Sequence, residues 1–165
     1  MIGRAVIFML AFGGLNAAWQ GLDGSDLHRR VIDLGVVAPA AALCRTVTPD
    51  LAVHAAGNQL RGAGAALNIV NGCDGMETLF LLAAGFLVAP LSWRDRLLGL
   101  CAGIPIVYGL NMLRILALFY AFRSDAQLFD LLHGIVTPVL MVIGVAAYYF
   151  VWLRRNAGPA PQSPP

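Results

Sequence analysis

Four long apolar runs dominate the chain, and they decide what it can fold into. They cover residues 5–20, 76–91, 97–122 and 128–153. Each is close to the ~20 residues that a helix needs to cross the hydrocarbon core of a bilayer. Only 12% of the residues are charged, whereas soluble domains carry about 25%. The sequence therefore predicts an all-α polytopic membrane protein with about four transmembrane helices in a single domain, residues 1–155.

The first run has an alternative interpretation as a signal peptide, because Arg4 precedes an apolar stretch near the N-terminus. No small-x-small cleavage site follows, since the next residues are Gly21-Leu22-Asp23-Gly24. We therefore expect a retained transmembrane helix.

Residues 21–75 are more polar and separate the first two runs. Within them, residues 25–47 mix charged and apolar residues at helical spacing, and the longest apolar stretch is too short to span a bilayer. We expect an amphipathic helix that lies on the membrane surface, is capped by Ser25 or Asp26, and is broken or bent near Pro39.

The following segment, residues 50–72, is rich in glycine and carries a turn signal at Gly57-Asn58. It predicts a short β-hairpin or an extended loop. At the other end of the chain, residues 156–165 are rich in proline and are expected to be a disordered tail.

Arginine placement gives an orientation. The residues that flank one side of the spans are Arg4, Arg94, Arg96, Arg154 and Arg155. The positive-inside rule assigns that side to the cytoplasm, so residues 21–75 face outward. Near the inner end of the last run, aromatic residues are expected to form an interfacial belt; they are Tyr148, Tyr149 and Trp152.

This topology brings three reactive side chains to one depth. Cys73 lies at the outer end of the second run, while Arg114 and His133 lie ~12 Å and ~8 Å below the outer surface on the third and fourth. An arginine inside a span is costly unless it faces a polar cavity, so it marks a functional site. Asn111 and Tyr108 lie on the same helix face as Arg114.

Cysteine, histidine and arginine together are suited to acyl transfer. Cys73 would be the nucleophile, and His133 the general base and then the acid for the leaving amine. Arg114 would lower the pKa of the thiol and stabilise the thiolate or the oxyanion. Asp74 and Glu77 are candidates for orienting His133 or Arg114.

The cysteine lies in the stretch Asn71-Gly72-Cys73-Asp74-Gly75-Met76-Glu77, in which two glycines would let a substrate backbone approach the sulfur. Asn71 is a further supporting candidate. Other interpretations stay open: Cys73 inert, His133 a lone interfacial histidine, and Arg114 reaching the headgroups.

Four other residues bear on this hypothesis. Asn111 could serve helix–helix hydrogen bonding alone. His28 or His54 could replace His133 as the base. Cys44 could form a disulfide with Cys73, which would exclude catalysis. Cys101 lies within a span and is expected to be a packing residue.

Several functions are not indicated. The net charge is +2 without a basic stripe, so nucleic acid is not an expected partner. Cysteine and histidine lack zinc-ligand spacing, so we expect neither a metal site nor a cofactor.

The cysteine stretch, Asn111-x-x-Arg114 on the next-but-one run and His133 at the start of the last run together resemble the exosortase/archaeosortase family over roughly residues 65–155. The short chain is most similar to its compact exosortase H branch. The resemblance implies a cysteine protease or transpeptidase of the bacterial inner membrane, with its active site facing the periplasm.

It also implies the partners. The substrates would be secreted proteins that carry a C-terminal sorting signal, made of a short motif (Pro-Glu-Pro in the commonest branch), a transmembrane helix and a basic cluster. Cleavage at the motif would be followed by transfer to an acceptor, and membrane lipids would surround the enzyme. The family's nucleophile, arginine and histidine correspond to Cys73, Arg114 and His133.

Two rival functions remain. One is a small non-enzymatic membrane assembly factor or chaperone that binds partner helices. The other is a transporter subunit in which Arg114 binds an anion. The sequence does not indicate the sorting motif, the acceptor or the oligomeric state.

Overall fold

The computed structural model of the protein describes residues 2–62, 64–69 and 72–156. Seven α-helices and one small sheet account for most of them. The elements are α1 (Ile2–Gly21), α2 (Asp26–Ile32), α3 (Ala38–Val47), β1 (His54–Ala56), β2 (Gln59–Gly62), β3 (Ala65–Asn68), α4 (Met76–Val88), α5 (Trp93–Ser124), α6 (Ala126–Leu131) and α7 (Thr137–Asn156). The predicted class, an all-α polytopic membrane protein, is confirmed.

Among the described residues, three helical segments are long and apolar enough to cross a membrane: α1, α5 and the continuous segment Ala126–Asn156. The predicted span 76–91 corresponds to α4, which has only 13 residues. At 1.5 Å per residue α4 is ~20 Å long, shorter than the ~30 Å hydrocarbon core. The second predicted span is thus an apolar helix shorter than the other three.

Local chemistry limits α4 at both ends. Gly75 precedes it in the left-handed conformation with a φ of 84°. After α4, the Arg96 side chain donates to the carbonyls of Leu87 and Leu91 at 2.7 and 3.1 Å. Ser92 then starts α5 by accepting the backbone N–H of Asp95 at 3.2 Å. Since α4 is short, the loop before it lies beside the interior of α5.

Two segments are widened into single π-helical turns. Asp33–Val37 joins α2 to α3, and Leu132–Val136 joins α6 to α7. Pro39 and Pro138 each lie two residues beyond the end of the turn. A proline in a helix supplies no N–H to the carbonyl four residues earlier and its ring clashes with that carbonyl, so the backbone widens there. The bend predicted near Pro39 takes this form.

The amphipathic segment begins as predicted, because Ser25 accepts the backbone N–H of His28 at 3.2 Å. The face that it buries is centred on Ile32, Val37 and Cys44, and Leu27 and Leu34 are exposed. The predicted turn at Gly57-Asn58 is confirmed: it joins β1 and β2, and β3 adds a third antiparallel strand.

Two hydrophobic cores lie along α5. The cap core packs α3, the sheet and the second half of α5; its fully covered members include Val37, Val53, Leu60 and Phe119. The bundle core packs α4, the first half of α5 and α7; its members include Leu82, Phe86, Val107, Met141 and Val145. The junction between the two cores is the level at which Arg114 lies.

Close helix contacts in the bundle depend on glycine. A Cβ at Gly99 would lie 2.6 Å from Phe86, and one at Gly103 would lie 2.5 Å from Leu82. The aromatic residues near the end of α7 point inward: Tyr149 donates to the Gly85 carbonyl at 3.0 Å. Tyr148 and Trp152 likewise donate to backbone carbonyls of α5. The aromatic residues expected to form an interfacial belt therefore also join α7 to its neighbours.

Candidate active site

The loop that carries Cys73 is held in place by α5. Gly72 and Gly75 flank Cys73 and Asp74. Their φ angles are 87° and 84°, in the left-handed region that residues with a side chain disfavour. Asn111 donates from Nδ2 to the Cys73 carbonyl at 3.2 Å. A Cβ at Gly75 would lie 2.8 Å from the Asn111 side chain. Glycine is therefore required at position 75 both for the turn and for the approach of the loop to α5.

Arg114 reaches the same loop. Its Nη1 donates to the Gly72 carbonyl at 2.8 Å, and its Nη2 lies 3.8 Å from the Cys73 sulfur. The side chain is 9% exposed and forms no ion pair within the described part of the chain. A buried cation without a counter-charge favours an anion beside it. The sulfur is the group in position to become that anion.

His133 comes to the sulfur from the other side, on the π turn Leu132–Val136. Its Nδ1 lies 3.6 Å from Cys73 Sγ. The imidazole stacks on Phe129 one turn earlier, with ring centroids 5.4 Å apart and planes 5° from parallel. The ring itself is exposed. An oriented imidazole beside a thiol has the arrangement required of a general base.

A residue that is not among the predicted site residues joins these parts. Arg114 Nε donates to the Thr137 hydroxyl at 3.1 Å, and that hydroxyl donates to the Leu132 carbonyl at 2.8 Å. Thr137 is 6% exposed. The sequence offered one signal, a hydroxyl residue directly before Pro138 on the same run as His133.

The electrostatics of Cys73 differ from the expectation. Burial raises the pKa of the thiol and is the largest influence, Arg114 lowers it, and the Asp74 carboxylate raises it. The net direction is upward, so the expected lowering by Arg114 is outweighed. The resting group at neutral pH is a thiol, and its reaction as a nucleophile requires a base.

Asp74 and Glu77 were candidates for orienting His133 or Arg114. Asp74 instead accepts the Trp19 indole N–H at 2.7 Å and the Met76 backbone N–H at 3.2 Å. It therefore fixes the end of α1 to the cysteine loop. Glu77 is exposed and lines a cavity with Arg114.

Tyr108 lies apart from the cysteine, because its hydroxyl donates to the Gly35 carbonyl at 2.9 Å. The three residues on this face of α5 therefore have different partners. Asn111 and Arg114 contact the cysteine loop, whereas Tyr108 contacts the turn before α3. Asn71 lies outside the described residues.

The other cysteines and histidines have separate surroundings. Cys44 and Cys73 are both free thiols, which excludes the disulfide considered above. Cys101 is exposed on α5, so the expectation that it packs inside is wrong. His28 is paired with Asp23 at 3.6 Å. Exposed His54 directs Nδ1 at the Ala52 carbonyl, 3.2 Å away. Across residues 2–62, 64–69 and 72–156, no three His, Cys, Asp or Glu side chains could hold a metal ion.

A groove opens beside the loop, between α1, α4 and α7. Its upper part is a cavity of about 430 Å³ that touches Gly72, Glu77 and Arg114 and also Phe12 and Val142. A smaller cavity of about 160 Å³ continues it along the same helices; its lining includes Phe8, Leu81, Val142 and Ala146. The groove is thus polar at the cysteine loop and apolar below it.

No curated protein and no solved structure shows significant similarity to the chain. Residues 36–151, more than half of the chain, match the family model described as transmembrane exosortase (Exosortase_EpsH). The matched region includes the cysteine loop, α4, α5 and most of α7. The chain is a multi-pass membrane protein that belongs to the transmembrane exosortase family.

Proposed function

We propose that the protein is an exosortase-type membrane cysteine protease and transpeptidase. It would cleave secreted proteins at a C-terminal sorting signal through a Cys73 acyl-enzyme and transfer the acyl group to an acceptor. One observation carries the proposal. Two side chains from separate helical segments approach the Cys73 sulfur, with His133 at 3.6 Å and Arg114 at 3.8 Å.

The first half-reaction forms the thioester. His133 takes the thiol proton as Cys73 Sγ bonds to the carbonyl carbon of the scissile peptide. The Arg114 guanidinium is placed to stabilise the negative oxygen of the tetrahedral intermediate, since it has no other counter-charge among the described residues. The C–N bond then breaks, and the amine leaves with the proton from His133.

The second half-reaction releases the product. An acceptor nucleophile, or water, adds to the thioester carbonyl and gives its proton to His133. The C–S bond breaks and Cys73 leaves as a thiolate beside Arg114, after which it recovers the proton from His133. Because burial raises the pKa of Cys73, the protonated thiol is the resting state between turnovers.

The groove between α1, α4 and α7 fits the shape of such a substrate. A polar peptide would lie at the loop, and the apolar segment that follows it would lie along Phe8, Leu81 and Val142. The apolar lining of the lower part of the groove is of the kind that a membrane-embedded segment requires.

Helix directions support an active site on the periplasmic side of the inner membrane. Trp19 at the end of α1 contacts Asp74 at the cysteine loop, so Arg4 lies toward the opposite end. Trp152 of α7 contacts Asp95 at the start of α5, also at that end. The arginines that flank the helices there favour its placement in the cytoplasm.

Replacement of the nucleophile is the decisive test. Cys73→Ala should lower processing of a signal-bearing reporter by about 10³-fold or more, because no other group can form the acyl-enzyme. The reporter is a secreted protein with a motif, a transmembrane helix and an arginine cluster at its C-terminus, used as a panel of motifs. Processing is measured by mass spectrometry of the product after co-expression.

Cys101→Ala is the matched control, since it makes the same change at an exposed cysteine on α5. Normal processing by membrane-inserted Cys73→Ala protein would refute the proposal. A wild-type protein that processes none of the panel would favour the non-enzymatic alternative, a membrane assembly factor that binds partner helices.

A further inference from the structure

The hydroxyl of Thr137 lies between the two groups that contact the cysteine sulfur. It accepts the Arg114 Nε–H at 3.1 Å and donates to the Leu132 carbonyl at 2.8 Å. Leu132 directly precedes His133 in the chain. One buried oxygen therefore touches both the arginine and the backbone of the turn that carries the histidine.

The contacts of Arg114 fix its plane. A guanidinium is flat and its N–H groups point in set directions. With Nε held by Thr137 and Nη1 held by the Gly72 carbonyl, Nη2 is left facing Cys73 Sγ. Without the Thr137 hydroxyl, only the contact with Gly72 would restrict rotation of the group.

The contact with Leu132 stabilises the turn that carries His133. The Thr137 backbone N–H bonds to the Leu132 carbonyl in the π turn, and the Thr137 hydroxyl bonds to the same oxygen. Two donors from one residue thus hold the wide turn, which would otherwise be the less favourable form of a helix. The position of the histidine ring depends on that turn.

Resting on the proposed function, we propose that Thr137 is a positioning residue that sets the Arg114 guanidinium and the His133 turn against the Cys73 sulfur through a single hydroxyl. It does not touch the reacting atoms. Its effect is exerted through Arg114 and His133.

The test removes the hydroxyl without changing the shape of the side chain. Thr137→Val should lower kcat for the reporter by about 10- to 100-fold with little change in KM, because a displaced catalytic group slows chemistry more than binding. Thr137→Ser keeps the hydroxyl and should stay within about threefold of the wild type.

A second measurement does not require turnover. Alkylation of Cys73 by iodoacetamide is followed against pH by peptide mass spectrometry, which resolves it from Cys44 and Cys101. Arg114 lowers the pKa of Cys73, so loss of its orientation should move the alkylation profile of Thr137→Val to higher pH. At a fixed pH below the midpoint, the rate should fall about tenfold for each unit of that movement.

Two comparisons separate this role from a merely structural one. Thr46→Val removes a hydroxyl that donates to the Leu43 carbonyl at 2.7 Å, at an exposed position of α3, and should leave the profile unchanged. In an Arg114→Gln background, Thr137→Val should add little to the movement of the profile, because residues that act through one another are not additive. Thr137→Ala, which removes the same hydroxyl, is used if Thr137→Val does not accumulate.

The outcomes are distinguishable. A Thr137→Val profile and kcat that match the wild type overturn the positioning role, even if Cys73→Ala abolishes processing. A moved profile that Thr137→Ser restores supports the role, even if no reporter is cleaved and the proposed function fails.

Discussion

The described part of the protein contains two π turns with almost the same local sequence. The first runs into α3 through Gly35-Val36-Val37-Ala38-Pro39, and the second runs into α7 through Gly134-Ile135-Val136-Thr137-Pro138. In both, the proline denies an N–H to the glycine four residues earlier, and the helix widens before it. Both turns lack the same backbone hydrogen bond, but different side chains contact them.

In the first turn, the side chain that meets the widened backbone is Tyr108, which donates to the Gly35 carbonyl. At the second, the hydroxyl of Thr137, the residue directly after the turn, accepts a hydrogen bond from Arg114, and the residue before the glycine is His133 rather than Leu34. The first turn joins the cap to α5. The second brings His133 to the Cys73 sulfur and is joined to Arg114 through Thr137. The same backbone conformation thus takes part in packing at the first turn and in the candidate site at the second.

The largest difference between the turns should appear on removal of the residue before each glycine. His133→Ala should lower reporter processing by about 10²- to 10⁴-fold, the usual contribution of a positioned general acid–base group. Leu34→Ala is the counterpart, at a side chain that is 70% exposed, and should leave processing near the wild-type rate. The measurement is the initial rate of reporter cleavage in proteoliposomes.

Equal rates for the two variants would contradict the distinction between the turns. They would also count against His133 as the base and reopen the assignment to His28 or His54.

Replacing each proline should have a smaller effect. Pro138→Ala supplies an N–H, lets the turn relax toward an α-helix and displaces His133, so processing should fall by about 10- to 100-fold. Pro39→Ala relaxes the first turn, which carries no reactive group, and should change processing by less than about twofold. Initial rates and thermal melting in detergent are measured for both, and a larger loss of activity for Pro39→Ala would contradict the comparison.

The grouping of Cys73, Arg114 and His133 could be predicted from the sequence because depth along a helix follows from counting residues. Cys73, Arg114 and His133 were placed in one layer by their distances from the ends of their apolar runs, and they meet there. The Ser25 cap and the Gly57-Asn58 turn were also predictable, since each depends on its immediate neighbours.

Features that depend on a distant partner could not be found in this way. The sequence shows a Pro39 and a Pro138, but the same residue type at Pro105 leaves α5 helical, so the widened turns require tertiary contacts. The inward direction of Tyr148 and the bond from Trp19 to Asp74 likewise depend on which backbone lies opposite. The upward pKa direction of Cys73 follows from burial, which counting residues does not measure.

Tyr108 gives the smallest expected effect and the sharpest check on the first turn. Tyr108→Phe removes the single bond to the Gly35 carbonyl and should lower the free energy of unfolding by about 0.5 kcal/mol, near the low end for one hydrogen bond. The low value is expected because Tyr108 is 43% exposed. Thermal melting of the purified protein in detergent measures the change, and reporter processing should be unaffected.

The opposite result would change the account of α5. If Tyr108→Phe slowed cleavage while melting stayed at the wild-type temperature, the tyrosine would belong with Asn111 and Arg114 in one functional stripe, as helical spacing alone suggests. The contact between Tyr108 and the first turn would then affect the reaction at Cys73, in addition to joining the turn to α5. A small loss of stability with full activity instead leaves only the second turn, through Thr137, in contact with the chemistry at Cys73.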